Sequence, residues 1–409
     1  MAEYKDREHF IPLRKSDLIE LLCRDKTLTS EERNSFRQFC ILVSAIFHFE
    51  YLKQLEELKD AYAPFDPDAD TKSPPPIDLD EKLKNEVELL ARFAALMERA
   101  NFKRLSPDEM LSALKEVATV SGIRTHVDLN MFEHLQVYVR GEVVGRMYRR
   151  SWRKLGRKEE FYVPQYQRLA LLVKLRPHKR LDREIDTARV YLKIFKDIPK
   201  VDRDMLLPGA RVRFTQLDRA IIIYPLAAGI GLTLYNIGAS ILQSSVAVLG
   251  SLVTWGLAGA IGGYGYKSYY SYQVKKQDYN LKLTKSLYYK SLDNNTGVLM
   301  RLLDEAEEQE CRETFLAYFC LWKFAPPEGW KSEQLDDYVE LYLEGNANLK
   351  VDFEIGDALD KLERLQIVRK VNGCFVAEPI DKVLERLDWT WDHYFQYANP
   401  EPPSVRGVE

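Results

Sequence analysis

The chain has 409 residues, 46% of them apolar and 11% aromatic, which is enough for two or three packed domains. A formal net charge of -3, from 59 Lys and Arg against 62 Asp and Glu, leaves no global basic footprint and excludes bulk nucleic-acid binding. The five cysteines (Cys23, Cys40, Cys311, Cys320, Cys374) are odd in number, scattered and without a C-x-x-C pair; this speaks against a disulfide framework or zinc ribbon and for a reducing compartment.

The opening MAEYKDREHFIPLRK mixes both charge signs and has no apolar h-region, so no cleaved targeting signal is expected. From Ser30 to Tyr62 the residues Phe36, Phe39, Cys40, Val43, Ile46 and Phe47 recur at three- and four-residue spacing, which predicts a core helix. APFDPDADTKSPPP (Ala63 to Pro76) reads as a loop, followed by helices over Leu79 to Asn101 and Pro107 to Ser121. Residues 1–125 therefore form a helical N-terminal region.

From Val127 the period changes. LQVYVRGEVVGRMYRRSW, FYVPQYQRLALLVKLR and ARVYLKIFKDI are rich in Val, Tyr, Leu and Ile with partial alternation, and predict a small antiparallel sheet from Leu135 to about Ile198 within a domain over 126–215.

Ala220 to Tyr266 then holds no Asp, Glu, Lys, Arg or His. At the chain-wide rate a stretch of this length would carry roughly 14 charges, so the expectation is a bilayer-embedded segment. Its length suits a transmembrane helical hairpin, 220–242 out and 246–266 back, inside a unit spanning 216–268. Arg211, Arg213 and Arg219 precede it, Lys267, Lys275, Lys276 and Lys282 follow it, and the loop between carries no Lys or Arg; both soluble halves are then expected on the cytoplasmic side. Gly256, Gly259 and Gly263 share one helical face, a spacing for packing of the two arms or for a homo-oligomer.

Beyond Tyr266 a helical segment over 269–325 is expected, with a turn at LDNNTG and a helix from Val298 to about Lys323. Residues 326–395 follow the layout of a winged helix: helix (Glu333 to Glu344), short strand (Leu349 to Val351), helix (Glu354 to Leu365) and the hairpin IVRKV-NG-CFVA, whose Asn372-Gly373 is a type I′ turn signal. Residues 396–409 are expected to be a disordered tail.

No H-E-x-x-H, G-x-S-x-G, Walker A or G-x-G-x-x-G is present, and the six histidines are far apart in sequence. Asp66, Asp68 and Asp70 imitate the start of a calcium loop, but Thr71 stands where a Gly is required and Ile77 where a Glu is required. The first candidate site is DEAEEQE, where Asp304, Glu305, Glu307, Glu308 and Glu310 sit between apolar helical turns and are either solvated or salt-bridged or, where buried, cation ligands or acid/base groups. The second is KDIPKVDRDM, with Asp197, Asp202 and Asp204 beside Lys196, Lys200 and Arg203. In the second helix of the winged-helix-like domain Glu354, Asp357, Asp360 and Glu363 outnumber Lys361 and Arg364, which suits a protein partner and opposes the phosphates of DNA.

Three stretches, HFEYLKQLEELKDAYAPFDPD (His48 to Asp68), YLKIFKDIPKVDRDMLLPGARV (Tyr191 to Val212) and SLYYKSLDNNTGVLMRLLDEAEEQECRETFLAYF (Ser286 to Phe319), together resemble the transmembrane protein 143 family, also called domain of unknown function 3754. The resemblance implies a membrane protein and brings no established activity, cofactor or catalytic residue. Animal members are mitochondrial; without a mitochondrial leader here, a bacterial inner membrane is the expected location, with a mitochondrial membrane as the alternative.

The expectation is thus an α+β membrane protein anchored by a two-helix hairpin, acting as an interaction or scaffold component with a protein partner, the lipid bilayer and no nucleic acid. The alternatives are a metal-dependent enzyme using 304–310 and an oligomeric pore or transport component.

Overall fold

The computed structural model describes residues 8, 10–70, 78–106, 109, 123–150, 158–179, 181, 185–200, 206–209, 211–214, 288–353 and 355–395, with isolated positions between 235 and 277. It is a mixed α+β protein. Three helices open the chain: α1 (Lys15–Cys23), α2 (Ser30–Tyr62) and α3 (Leu79–Arg99). The 33-residue α2 starts where a capping box starts it: the Thr29 hydroxyl accepts from the Glu32 amide, and the Glu32 carboxylate accepts from the Thr29 amide. Its apolar spacing is the buried face, since Phe36, Phe39, Cys40, Val43, Ile46 and Phe47 all lie in the core. The helix expected over Pro107 to Ser121 falls outside the described residues, apart from one helical position at Glu109.

Strands follow. In chain order they are β1 (Lys103–Arg104), β2 (Ile123–His126), β3 (Phe132–Arg150), β4 (Lys158–Leu175), β5 (Val190–Pro199), β6 (Arg211–Phe214) and β7 (Ser291–Asn294). Five of them form one antiparallel sheet in the order β1-β3-β4-β5-β7, and β2 pairs with β6 separately. Alternation along the strands divides the side chains between two cores. Tyr138, Ala170, Leu172, Val190, Leu192 and Ile194 join the helical core, whereas Val137, Val139, Leu169, Leu171, Val173 and Phe195 form a second core on the opposite face.

The sequence LDNNTG, expected as a turn, is mainly strand: Ser291–Asn294 adds to the sheet edge by pairing with Lys193 to Phe195. The β-branched content that marks the other strands is missing here, so the pairing is decided by the neighbouring β5 edge and not by local preference. Asn295, at φ 49°, turns the chain directly into α4 (Thr296–Phe324).

The helix α4 is the hub of the fold, packing against α1, α2, α3, β5 and the C-terminal elements α5 (Ser332–Ala347), α6 (Ile355–Arg364) and β9 (Cys374–Ala377). β9 pairs antiparallel with β8 (Val368–Val371), and the turn between them has Asn372 at φ 50° and Gly373 at φ 83°, the positive pair that a type I′ turn requires. Trp330 bridges to Phe375, extending that ribbon, and Val351 bridges to Glu8. The closing helix α7 (Ile380–Asp392) lies on α2.

The transmembrane hairpin requires correction. Among the described residues no helix is long and apolar enough to cross a membrane. The three helices with sufficient length, α2, α3 and α4, are interspersed with charged residues and pack their apolar faces into one core. The stretch 220–266, on which the hairpin over 220–242 and 246–266 was expected, lies outside the described residues apart from helical positions at Tyr235, Gly259, Gly263 and Tyr266. Freedom from charge marks a segment that avoids charged side chains; it does not by itself define two spanning helices. Among the described residues, no spanning helix supports the membrane and multi-pass assignments.

Candidate functional site

Four of the five carboxylates in the acidic run of α4 have partners: Glu305, Glu308 and Glu310 each meet a cation and Glu307 meets a histidine. Glu305 is paired with Arg140 of β3, and its other oxygen lies 3.7 Å from Arg168 of β4 and 3.3 Å from Arg301. Glu307, buried, meets the Nδ1 of His48 on α2 at 2.9 Å. Glu308 lies 3.5 Å from Arg312 one turn on. Glu310, with 2% exposure, accepts from Arg99 of α3 at 2.7 Å and lies 3.6 Å from Lys361 of α6. Asp304 is exposed.

Two further acceptors extend the group. Glu313 lies 3.7 Å from Lys361 and accepts from Gln309 at 2.8 Å. Lys361, itself buried, also donates to Asp357 at 2.5 Å. The network therefore links α2, α3, α6 and the sheet to one helix through carboxylates distributed around its circumference.

Its electrostatics follow from burial. Desolvation holds the guanidinium of Arg140 below its ordinary value, with Glu305 opposing that effect. Arg99 is driven down by burial but the hydrogen bond and charge of Glu310 outweigh it, and its affinity for a proton rises. The Tyr51 hydroxyl is raised by burial and by the nearby Glu310 charge, and the Arg99 guanidinium stacks 4.5 Å from the Tyr51 ring. Chemically, carboxylates that already hold guanidinium and ammonium groups have few lone pairs left for a cation, and the arrangement reads as a structural tie.

The second candidate is divided. Asp197 is exposed with a φ of 52°, while Asp202 and Asp204 lie outside the described residues. Lys200 reaches Glu142 at 2.6 Å across the sheet. Of the glycines, Gly256 lies outside the described residues; at Gly259 and Gly263 an added Cβ would meet nothing within 4 Å. The calcium-loop imitation has a structural use: Asp66 accepts from Thr296 at 2.7 Å and Asp68 from the Asn295 side chain at 2.5 Å, placing two carboxylates at the N-terminus of α4, where the helix dipole favours negative charge.

In α6 the apolar residues Ile355, Ala358, Leu359 and Leu362 are buried, and the two cations are engaged: Lys361 as above, Arg364 in a bidentate pair with Glu50 at 2.7 and 2.9 Å. The exposed residues are Gly356, Asp357, Asp360 and the Glu50-paired Arg364, with Glu363 half-buried.

Sequence reasoning missed the cations. Arg140 and Arg168 stand in strands, and their signal was a charge in the middle of an otherwise apolar run. It also missed Glu86, Glu133 and His134, whose donor atoms lie within 4.8 Å of one another and which among the described residues form the one grouping of metal-ligand type. The Lys174 ammonium lies 2.6 Å from Glu86 and 3.2 Å from Glu133, so a cation already occupies that position. Nothing local in the sequence brings α3 to β3.

Residues 166–297 match the family model described as a protein of unknown function, DUF3754. The domain of unknown function expected from the quoted stretches is therefore present over that range, from within β4 to the first turn of α4. No solved structure matches the chain.

Proposed function

We propose that the protein is an interaction or scaffold component whose contact surface is the acidic face of α6, and that its partner presents a basic protein surface. The observation that carries this reading is that both α6 cations are already paired, Lys361 buried on Glu310 and Glu313 and Arg364 at the surface on Glu50, while Asp357 and Asp360 stand outward. A helix with that face repels phosphate and does not suit the major groove. A relation to the transmembrane protein 143 family belongs to the same proposal; its support is that the stretch Tyr191 to Val212 lies within the matched region and Ser286 to Phe319 overlaps it.

The test uses the full chain with Asp360→Arg and Glu363→Arg together. Asp357 is spared because it holds Lys361. A protein cross-linked to α6 in the native chain should be lost from the variant at unchanged melting temperature. Retention of the same cross-links by the variant, or a salt-sensitive mobility shift of duplex DNA by the native chain, would refute the reading.

A further inference from the structure

Among the described residues, the sheet face turned away from the helices is not fully covered. A cavity of about 540 Å³ opens there, with Leu171, Val173 and Leu175 from β4 and Phe195 from β5 as its buried floor and Ile185, Leu206, Leu207 and Pro208 as its side wall. That volume falls within the range of roughly 300–1,000 Å³ typical of small-molecule sites. Its open side is different in character. Lys193, Asn294 and Tyr288 line it and are exposed, and Lys193 is the charged residue in the lining. Among the described residues Lys193 makes no ion pair, whereas Glu305 and Glu310 of the α4 network hold cations on the other face of the sheet.

An apolar floor with a single ammonium at the rim selects a molecule with an alkyl body and one anionic end. A peptide would bring backbone amides and carbonyls that the floor cannot pair, and a neutral hydrocarbon would leave the lysine without a role. We propose that this cavity binds a single-chain fatty acid, its alkyl chain against Leu171, Val173, Leu175 and Phe195 and its carboxylate on the Lys193 ammonium. The site is separate from the acidic face of α6 and does not depend on the function proposed for that face.

The probe is laurate, titrated into the full chain below its micelle concentration and read by displacement of a fluorescent dansyl fatty acid. One laurate should bind per chain. Octanoate, four methylenes shorter, should bind on the order of a hundredfold more weakly, at roughly fourfold per methylene. Lys193→Gln should weaken laurate about two- to fivefold, the range for a solvent-exposed ion pair, and Lys193→Glu further. Leu206→Trp, which fills the wall, should abolish binding; if that variant melts early, Ile185→Trp asks the same question from another segment. Absence of laurate binding to the native chain would overturn the proposal. So would equal affinity for dodecyltrimethylammonium, or unchanged affinity in a folded wall-filling variant.

Discussion

Replacing Glu305 with Gln removes one negative charge and almost no volume, so its effect measures the charge alone. The Glu305 side chain is 16% exposed and its closest partner, Arg140, 10%. Arg140 also donates to the Ala100 carbonyl at 3.0 Å and lies 4.7 Å from the Phe102 ring, contacts that keep it in place once its counter-charge is gone. The variant thus leaves a buried guanidinium facing Arg168 without a carboxylate between them. Removing one partner of a buried pair costs about 3–5 kcal/mol, and the partial exposure of Arg168 and Arg301 puts this case at the lower end, about 3 kcal/mol. With an unfolding entropy near 2.1 cal/mol/K per residue, a fold of this length loses roughly one degree of Tm for each 0.9 kcal/mol, so a drop of about 3–4 °C is expected by calorimetry. The double variant Arg140→Met, Glu305→Leu should lose less than Glu305→Gln, because it removes both charges. A Tm for Glu305→Gln within 1 °C of the native chain would refute the reasoning.

Native alkylation at pH 8 should label Cys374, which is half-buried, and spare Cys23, Cys40, Cys311 and Cys320; burial pushes the Cys311 thiol up to about 12, and mass spectrometry showing early modification there would contradict the packing. Thr29→Ala should destabilise by about 1 kcal/mol through the lost capping box, read as a shift in denaturant midpoint without a change in slope. Burial works against the Asp25 carboxylate, but hydrogen bonds from Thr27 and Tyr342 hold it below its ordinary value. Its contribution is therefore complete above the unfolded pKa and lost as pH falls through the folded one, so the Tm gap between native and Asp25→Asn should be constant near neutrality and close below about pH 4. Asn295→Ala should cost about 1–3 kcal/mol, since it removes the side-chain acceptor of the Leu192 amide, leaves the Tyr62 hydroxyl with the Val190 carbonyl alone and places a Cβ residue without side-chain bonds at φ 49°; an unchanged melt would remove that role.

Some of this architecture is readable residue by residue. The spacing of Phe36, Phe39, Val43 and Phe47 carries the buried stripe of α2, and Asn372-Gly373 carries its turn, because both depend on neighbours within one or two helical turns or one hairpin. The acidic run of α4 was legible as inward-facing from the leucines and phenylalanines around it. Its partners were not: Arg99, Arg140, His48 and Lys361 arrive from four elements up to 259 residues away, and no local pattern encodes a long-range ion pair. Strand β7 was misread for the same reason, since SLDN has no strand preference of its own and is ordered by the β5 edge. The hairpin over 220–266 was inferred from missing charge, the length of the gap and the cations flanking it, criteria that describe composition and leave the segment's fold unstated.

Strand β5 ends at Pro199 and its neighbour β7 starts at Ser291, so the chain leaves one edge of the sheet and returns to the same edge. Joining two ends across a loop of that length carries a closure entropy of roughly 4 kcal/mol, met once by the pairing of Lys193 to Phe195 with β7 and by the α4 helix that follows it into the core. Once closed, the two ends are held by the sheet and by α4 and not by the segment between them. A single protease cut inside that excursion would therefore leave the sheet and helical core associated as two fragments, separating only under denaturant. Leu207 in the second core and the pairing of β6 with β2 tie the first part of that excursion to the same frame, so a cut beyond Phe214 leaves those ties in place as well.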